Sequence, residues 1–352
     1  MKKTLAALIV SAFAASAANA AVVYDNEGTK VELNGSLRLI MEKADKKEYD
    51  RAGKSTKKTN SALRNAGSRF GITVKHNLDN DFYALGRVEF RFDDTDSRDK
   101  FGRLYAKRAY VGLGSKATGD ITFGRQLTIA DDLSQAVDYE YGLIPKEEYI
   151  PTAGTGVIRY DYKGIEGLQL SANYNFGQKN NEKGKALDPA IKNAFGFGAL
   201  YTAGDLDARF AYGHTSFETD ASYKHRVDGF LASLGYKFGD FTLTGDFGYA
   251  HAKKNDDKTN KFYVSPGFAY QVTPMSQVYG NYLYERVKGE SDKDKTHGFL
   301  LGADYKLHKQ VVVFLEGKYV TTKNYAENAN GGYAYDGKTK DRAIGVGMRV
   351  YF

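Results

Sequence analysis

The last eleven residues read RAIGVGMRVYF, Arg342 to Phe352. Ile344, Val346, Met348, Val350 and Phe352 are apolar at every second position, with Gly345, Gly347, Arg349 and Tyr351 between them. A period of two is a strand with two unlike faces. The strand runs to the final residue, an aromatic, with no polar tail to solvate it. Either this apolar face packs on a protein core or it meets lipid.

The pattern recurs along the chain. Leu168 to Phe176 (LQLSANYNF) sets Leu168, Leu170, Ala172, Tyr174 and Phe176 against Gln169, Ser171, Asn173 and Asn175. Phe241 to Tyr249 places Thr242, Thr244, Asp246 and Gly248 on its polar side. Phe82 to Phe92 sets Phe82, Val88, Phe90 and Phe92 against Arg87, Glu89 and Arg91. In Val31 to Met41, Leu33, Leu37 and Leu39 oppose Glu32, Asn34, Ser36 and Arg38, and Ile40 breaks the polar side. About sixteen such segments can be counted, each near the ~9–11 residues that cross a bilayer with tilt. Short connections (Asp79-Asn80-Asp81, Ala203-Gly204-Asp205, Gly239-Asp240, His308-Lys309) alternate with long polar ones at Ala44–Gly67, Gly177–Asn193, Ala252–Lys261 and Thr322–Lys340.

Composition agrees. The 352 residues include 27 Tyr, 21 Phe and 38 Gly but only 5 Pro and no Trp, and mean hydropathy is −0.51. A polar average with many aromatics fits a sheet with one lipid face and one watery face. A soluble β-sandwich or lectin rarely has sixteen strands with one face almost wholly polar. The reading is therefore all-β: a 16-stranded antiparallel transmembrane β-barrel with long outer loops and short periplasmic turns. An even strand count puts both termini at the periplasmic rim, so the last strand pairs with the first and leaves no edge in lipid. Tyr174, Tyr249 and Tyr351 are expected in interface girdles.

The N-terminus reads as an export signal. Lys2 and Lys3 precede an apolar run from Leu5 to Ala15, and Ala18-Asn19-Ala20 fits the small-x-small cleavage rule. Residues 1–20 are expected to be cleaved, leaving 21–352 as one barrel domain of 332 residues with formal charge lowered from +7 to +5. Cysteine is absent, which suits passage through an oxidising periplasm.

Alternation stops between Leu127 and Thr155. A stretch this long without period inside a compact barrel needs a role. It carries Asp131, Asp132, Asp138, Glu140, Glu147 and Glu148 against Lys146, and also Leu133, Val137, Tyr139, Tyr141, Leu143 and Ile144, so it can pack on something. Alternation aims Arg38, Arg69 and Arg159 inward. Arg125 shares parity with Ile121 and Phe123 and would face lipid unless the backbone is irregular at Gly124.

VYDNEGTKVELNGSLRL at Val23–Leu39, LRNAGSRFGI at Leu63–Ile72, ITFGRQLTIADD at Ile121–Asp132 and the terminal GVGMRVYF together resemble the general porins of Gram-negative outer membranes. Within that family the chain is most similar to the P2-type porins of Haemophilus and other Pasteurellaceae. The resemblance implies a homotrimer whose subunits each enclose a water-filled pore for small hydrophilic solutes and ions. It implies an inward-folded third loop at 128–155, with Asp131, Asp132, Asp138 and Glu140 as the acidic side of a constriction. The basic side would be Arg38, Arg69, Arg125 and Arg159. Arg38 lies two residues beyond the family's first-strand lysine, where Ser36 stands here. GLIPKEEYIPTAG replaces the family's Pro-Glu-Phe-Gly-Gly turn. The terminal Phe352 would be read by the insertion machinery. Partners would be two further copies of the chain, lipopolysaccharide and outer-membrane lipid, with no nucleic acid and no cofactor.

Rival readings are a solute-specific channel, an adhesin carried on the outer loops, and an outer-membrane enzyme. A sugar-specific channel needs an aromatic slide in the lumen, whereas most aromatics here have lipid parity. An enzyme needs a histidine with a hydroxyl or acid partner. His214, His225, His251 and His297 lie in or beside outer loops, His308 in an inner turn, and His76, mid-strand, has no visible partner. Gly332–Thr339 matches a phosphate-loop spacing but leads into a strand, not a helix. The acidic run near Asp93 resembles a calcium loop, with Arg98 where a ligand oxygen belongs.

Overall fold

A computed structural model describes residues 20–93, 101–219 and 224–352. The export signal and the centre of the calcium-loop resemblance fall outside them. The described strands are β1 (Ala21–Asn26), β2 (Thr29–Tyr49), β3 (Ser55–Asn65), β4 (Arg69–Asn77), β5 (Phe82–Phe92), β6 (Leu104–Ser115), β7 (Gly119–Leu127), β8 (Ala153–Ile165), β9 (Leu168–Asn175) and β10 (Gln178–Asn180). They continue as β11 (Ala186–Ala203), β12 (Leu206–Phe217), β13 (His225–Phe238), β14 (Phe241–Lys254), β15 (Asp257–Thr273), β16 (Ser276–Lys288), β17 (Asp292–His308), β18 (Val311–Glu327) and β19 (Tyr333–Tyr351).

These segments make sixteen antiparallel staves of one closed barrel. Three staves are composite. β3 and β4 pair with successive parts of β2 across a break at 66–68, and β9 and β10 both pair with β11. At the seam, β19 pairs with β2 down to Tyr351–Ser36, and β1 continues beneath it along Thr29–Leu33. Gly35 and Phe352 exchange both backbone hydrogen bonds, at 2.8 and 3.1 Å. A Cβ on Gly35 would lie 2.4 Å from the Phe352 ring, so this glycine is what lets the terminal aromatic lie flat on the closing strand.

The turns at one end have two to four residues, at 78–81, 116–118, 166–167, 204–205, 239–240, 274–275 and 309–310. At the other end the structure differs from the expected long loops. Most of that polar sequence continues the strands as ribbons: β2 is 21 residues long, and β14 and β15 are joined across only Asn255 and Asp256. Polar side chains on both faces read as loop in sequence, yet past the bilayer a two-sided polar ribbon satisfies its backbone as well as any loop.

Burial is inverted relative to a soluble protein. Met41, Phe197 and Leu301 are 64%, 50% and 61% exposed, while Ser36, Asp246 and Glu316 are at most 2% exposed. Outward apolar side chains ring the wall, as lipid contact requires. Tyr174 and Tyr249 are exposed on that face. Tyr351 is not part of the girdle. It has the parity of Gly345 and Gly347, and the Arg38 guanidinium lies 5.9 Å from its ring. The phosphate-loop match lies on β19 with no helix after it.

The inner face is also not wholly polar. Leu231, Tyr263, Leu283, Tyr279, Leu300 and Phe314 point inward and are buried. What buries them is the segment at 128–152.

Candidate functional site

That segment leaves β7 and re-enters at β8. Its neck is closed by Thr128 N donating to Thr152 O at 2.9 Å and Thr128 Oγ1 to Pro151 O at 2.6 Å. Two short 3₁₀ turns, Ile129–Asp132 and Lys146–Glu148, are its only helical structure. Between them the backbone has no strand partner, so its polar groups need others. The wall supplies them. Asp246 accepts from Gln135 N at 3.1 Å and Ala136 N at 3.3 Å. Glu316 accepts from Tyr139 N, Glu140 N and Tyr141 N at 2.7, 2.8 and 2.6 Å, and from Tyr279 Oη at 2.9 Å. Arg209 donates to Asp132 O and Ser134 O, and Arg349 to Tyr139 O. A buried carboxyl group needs hydrogen-bond donors, and three consecutive N–H groups provide them to Glu316.

Apolar contact completes the seat. Ile129, Leu133, Tyr149 and Ile150 pack with Ala211, Leu231, Ala250, Tyr263 and Leu283. Further on, Tyr141 packs with Ile40, Tyr279, Leu300, Phe314 and Ala343. Ile40, which breaks the polar face of its strand, is fully buried here. Wall glycines make the room. A Cβ on Gly229 would stand 2.1 Å from Tyr149 O, and one on Gly345 would stand 2.5 Å from Ile40 and 2.7 Å from Tyr141 Oη. The segment thus lines the inside of the barrel from β11 to β18 and reaches across the seam to Ala343 and Arg349 on β19, Ile40 and Glu42 on β2 and Arg64 on β3.

The remaining arc is basic. Arg349 on β19 is directly opposite Arg38 on β2, and Arg69 on β4 is directly opposite Arg91 on β5. Like charges in register are destabilising. One carboxylate, Glu89, sits among them at 3% exposure. It bonds Arg91 at 2.7 Å and Arg87 at 2.9 Å, with Arg108 at 3.6 Å. Arg38 is steadied by Ser36 Oγ at 2.7 Å and Arg69 by Gly67 O at 3.1 Å, in the break between β3 and β4.

The expected residues do not form one group. Arg38 and Arg69 share the basic arc. Arg159 lies at the neck of the segment, bonded to Asp161 at 2.9 Å and Asp132 at 3.3 Å. Arg125 joins neither. The backbone is irregular at Gly124, with φ +132° and a register shift, and Arg125 donates to Ala106 O and Glu182 O at 3.0 Å each. Of the acids, Glu140 is paired with Arg64 at 2.7 Å, and Arg64 also holds Glu42 at 2.8 Å. Asp131 and Asp138 form no ion pair among the described residues. Enclosure inside the barrel, followed by the Glu316 carboxylate, pushes Asp138 up to about 6, although its side chain still meets lumen water. Burial also raises Asp132, against the pull of Arg159.

Sequence reading missed Arg87, Arg91, Arg108 and Arg349 as members of the basic arc, and Asp246 and Glu316 as anchors. Their lumen parity was visible. Their grouping depends on cross-strand register, which a single strand does not show.

The sequence profile described as Gram-negative porin matches residues 4–325. A major outer membrane protein of Pasteurella multocida strain Pm70 is 32% identical over the full length of both chains. Among solved structures, OmpT of Vibrio cholerae superposes with a TM-score of 0.70 at 18% identity, over 94% of this chain and 99% of its own. An anion-selective porin from Comamonas acidovorans gives 0.62 at 18%, over 92% and 100%. The inverted barrel, the lumenal segment and the full-length relatives agree: the chain belongs to the Gram-negative porin family and is a channel-forming protein of the outer membrane.

Proposed function

We propose that the segment at 128–155 and the arginine arc together form the constriction of a general diffusion pore. The observation that carries this is the complementary division of the wall. The segment covers β11 to β18 and meets the other side of the wall at Arg349, Ile40 and Arg64, while Arg38, Arg69, Arg91, Arg87 and Arg108 follow Arg349 around the wall from β2 to β6. Like-charged pairs in register cost stability, so a role in the lumen is the reason to keep them. The field across the lumen runs from these guanidiniums to Asp131 and Asp138. Asp132 and Glu140 serve mainly to fasten the segment to Arg159 and Arg64. Small hydrophilic solutes pass, oriented by that field. Single-channel recording tests this: replacing Arg38, Arg69 and Arg91 with Gln moves the reversal potential toward cations, and no shift refutes the assignment.

Four further readings belong to the same picture. The first strand begins at Ala21, which supports cleavage of residues 1–20. The protein works as a homotrimer, a reading supported by the trimer form solved for Vibrio cholerae OmpT. Lipopolysaccharide contacts the outer rim, where Arg286, Lys295, Lys323 and Lys338 lie in direct register on the outward face of four adjacent strands. Four cations in a row need anions, and lipid phosphates are the anions at that height. Phe352 serves insertion. Its loss costs the finished barrel only about 1–3 kcal/mol of burial, yet lowers outer-membrane levels sharply.

A further inference from the structure

Three side chains that the pore does not use meet on the outward face near the outer rim. His214 and Ser216 are two residues apart on β12, and Asp228 on β13 is the direct cross-strand partner of His214. His214 Nδ1 lies 2.7 Å from Asp228 Oδ1, and His214 Nε2 lies 3.1 Å from Ser216 Oγ. An ionised carboxylate only accepts, so it keeps the imidazole proton on Nδ1 and leaves the Nε2 lone pair facing the serine hydroxyl. General-base activation of a serine needs that tautomer. Two more contacts fix the arrangement. Tyr212 Oη donates to Asp228 Oδ1 at 2.9 Å, and the Phe195 ring stacks on the imidazole at 5.2 Å and 25°. Ser216 is flanked in register by Asn193 on one side and Arg226 on the other. Arg226 is 57% exposed and only 4.0 Å from Asp228, so its guanidinium can turn toward charge developing beside Ser216. Sequence reading placed His214 in or beside an outer loop. The β12–β13 register supplies both partners.

We propose that Ser216 and His214 are catalytic residues, and Asp228 a positioning residue, of a hydrolase site for carboxylic esters of membrane lipids. The location sets the substrate class. The site faces away from the lumen, with the exposed rings of Phe197 and Phe230 below it on the bilayer face. An acyl chain lying on those rings brings its ester to the serine. Ser216 Oγ bonds to the acyl carbon as its proton passes to His214 Nε2. The ester C–O bond breaks as that proton goes to the leaving alcohol. Water then gives a proton to His214 and attacks the acyl carbon, and Ser216 regains its proton as the fatty acid leaves. Ester and water become acid and alcohol, with no other reactant.

A strand-end hydrogen-bond network with no chemistry would show the same distances, so the test must read chemistry. Purified folded protein is given a fluorescent acyl-ester phospholipid in vesicles and, separately, a fluorophosphonate probe. The expected result is fatty-acid release that falls at least 100-fold in Ser216→Ala, with the probe mapped to Ser216 by peptide mass spectrometry. Asp228→Asn should lower the rate at least 10-fold and change its pH profile, which a merely structural role would not do. Unchanged pore conductance in Ser216→Ala shows that the variant is folded. Equal release by wild type and Ser216→Ala, or an unlabelled Ser216, overturns the proposal.

Discussion

The two arcs of this barrel solve opposite problems on the same side of the same sheet. From β11 to β18 the lumen wall mixes small and apolar side chains with a few charged ones and is covered by chain, with Glu316, Asp246 and Arg209 gripping its backbone. From β19 to β6 the segment touches the wall at Arg349, Ala343, Ile40 and Arg64, and beside those contacts the wall crowds guanidiniums around Glu89. The first arc resembles the core of a soluble protein. The second keeps an arrangement that packing alone would reject. On the proposed reading the covered arc serves stability and the arginine arc serves selectivity, and changes to each should move different observables.

The largest effect comes from removing the cover. Deleting 130–149 across a short linker should raise single-channel conductance several-fold and admit larger solutes, because strand pairing is untouched. It also strips Leu231, Tyr263 and Phe314 of their packing, so the temperature at which the folded barrel unfolds on a denaturing gel should fall. Unchanged conductance would mean that the segment does not narrow the pore.

Next is the anchor. Glu316→Gln leaves three N–H groups sharing a weaker acceptor and should cost about 2–4 kcal/mol in seating. Noisier open-channel current is the readout, with ion selectivity nearly unchanged. A smaller steric change, Gly229→Ala, pushes a methyl toward Tyr149 O and should cost about 1–3 kcal/mol in the same readout. In the arginine arc the sign reverses. Arg38→Gln with Arg91→Gln should shift reversal potentials toward cations while leaving the unfolding temperature equal or higher, since like-charge repulsion is relieved. A destabilised double variant would break the contrast between the arcs.

The smallest effect is with pH. Asp138 is raised toward about 6, so it takes up a proton as pH falls from 7.5 to 5 and the lumen becomes more positive. Selectivity should drift toward anions over that window. A raised carboxyl favours the seated state more once protonated, so the segment stays in place as pH falls. Asp138→Asn should abolish the drift.

The barrel itself was legible because lipid demands a strict period of two, and the seam was legible because the last residue belonged to that period. The covered arc was not. Alternation separates two faces but does not say what touches the inner one, so the seat formed by Leu231, Tyr279 and Phe314 could not be read from it. Ile40 was the readable hint, an apolar residue on polar parity. Arg125 was half legible: parity excluded it from the lumen, and the twist at Gly124 did not bring it to the arginine arc. Arg349 and Arg38 could be paired only once the register across the seam was known.

The most direct test is whether the segment lies against the covered arc. A Cβ on Gly213 would stand 3.4 Å from Ile150 Cβ, at the short end of disulfide reach, and the chain has no cysteine to interfere. In a Gly213→Cys, Ile150→Cys variant, mild oxidation should give a near-complete intramolecular disulfide by mass spectrometry, with single-channel conductance close to wild type. Two free thiols after oxidation would place the segment elsewhere and contradict the division of the lumen into two arcs.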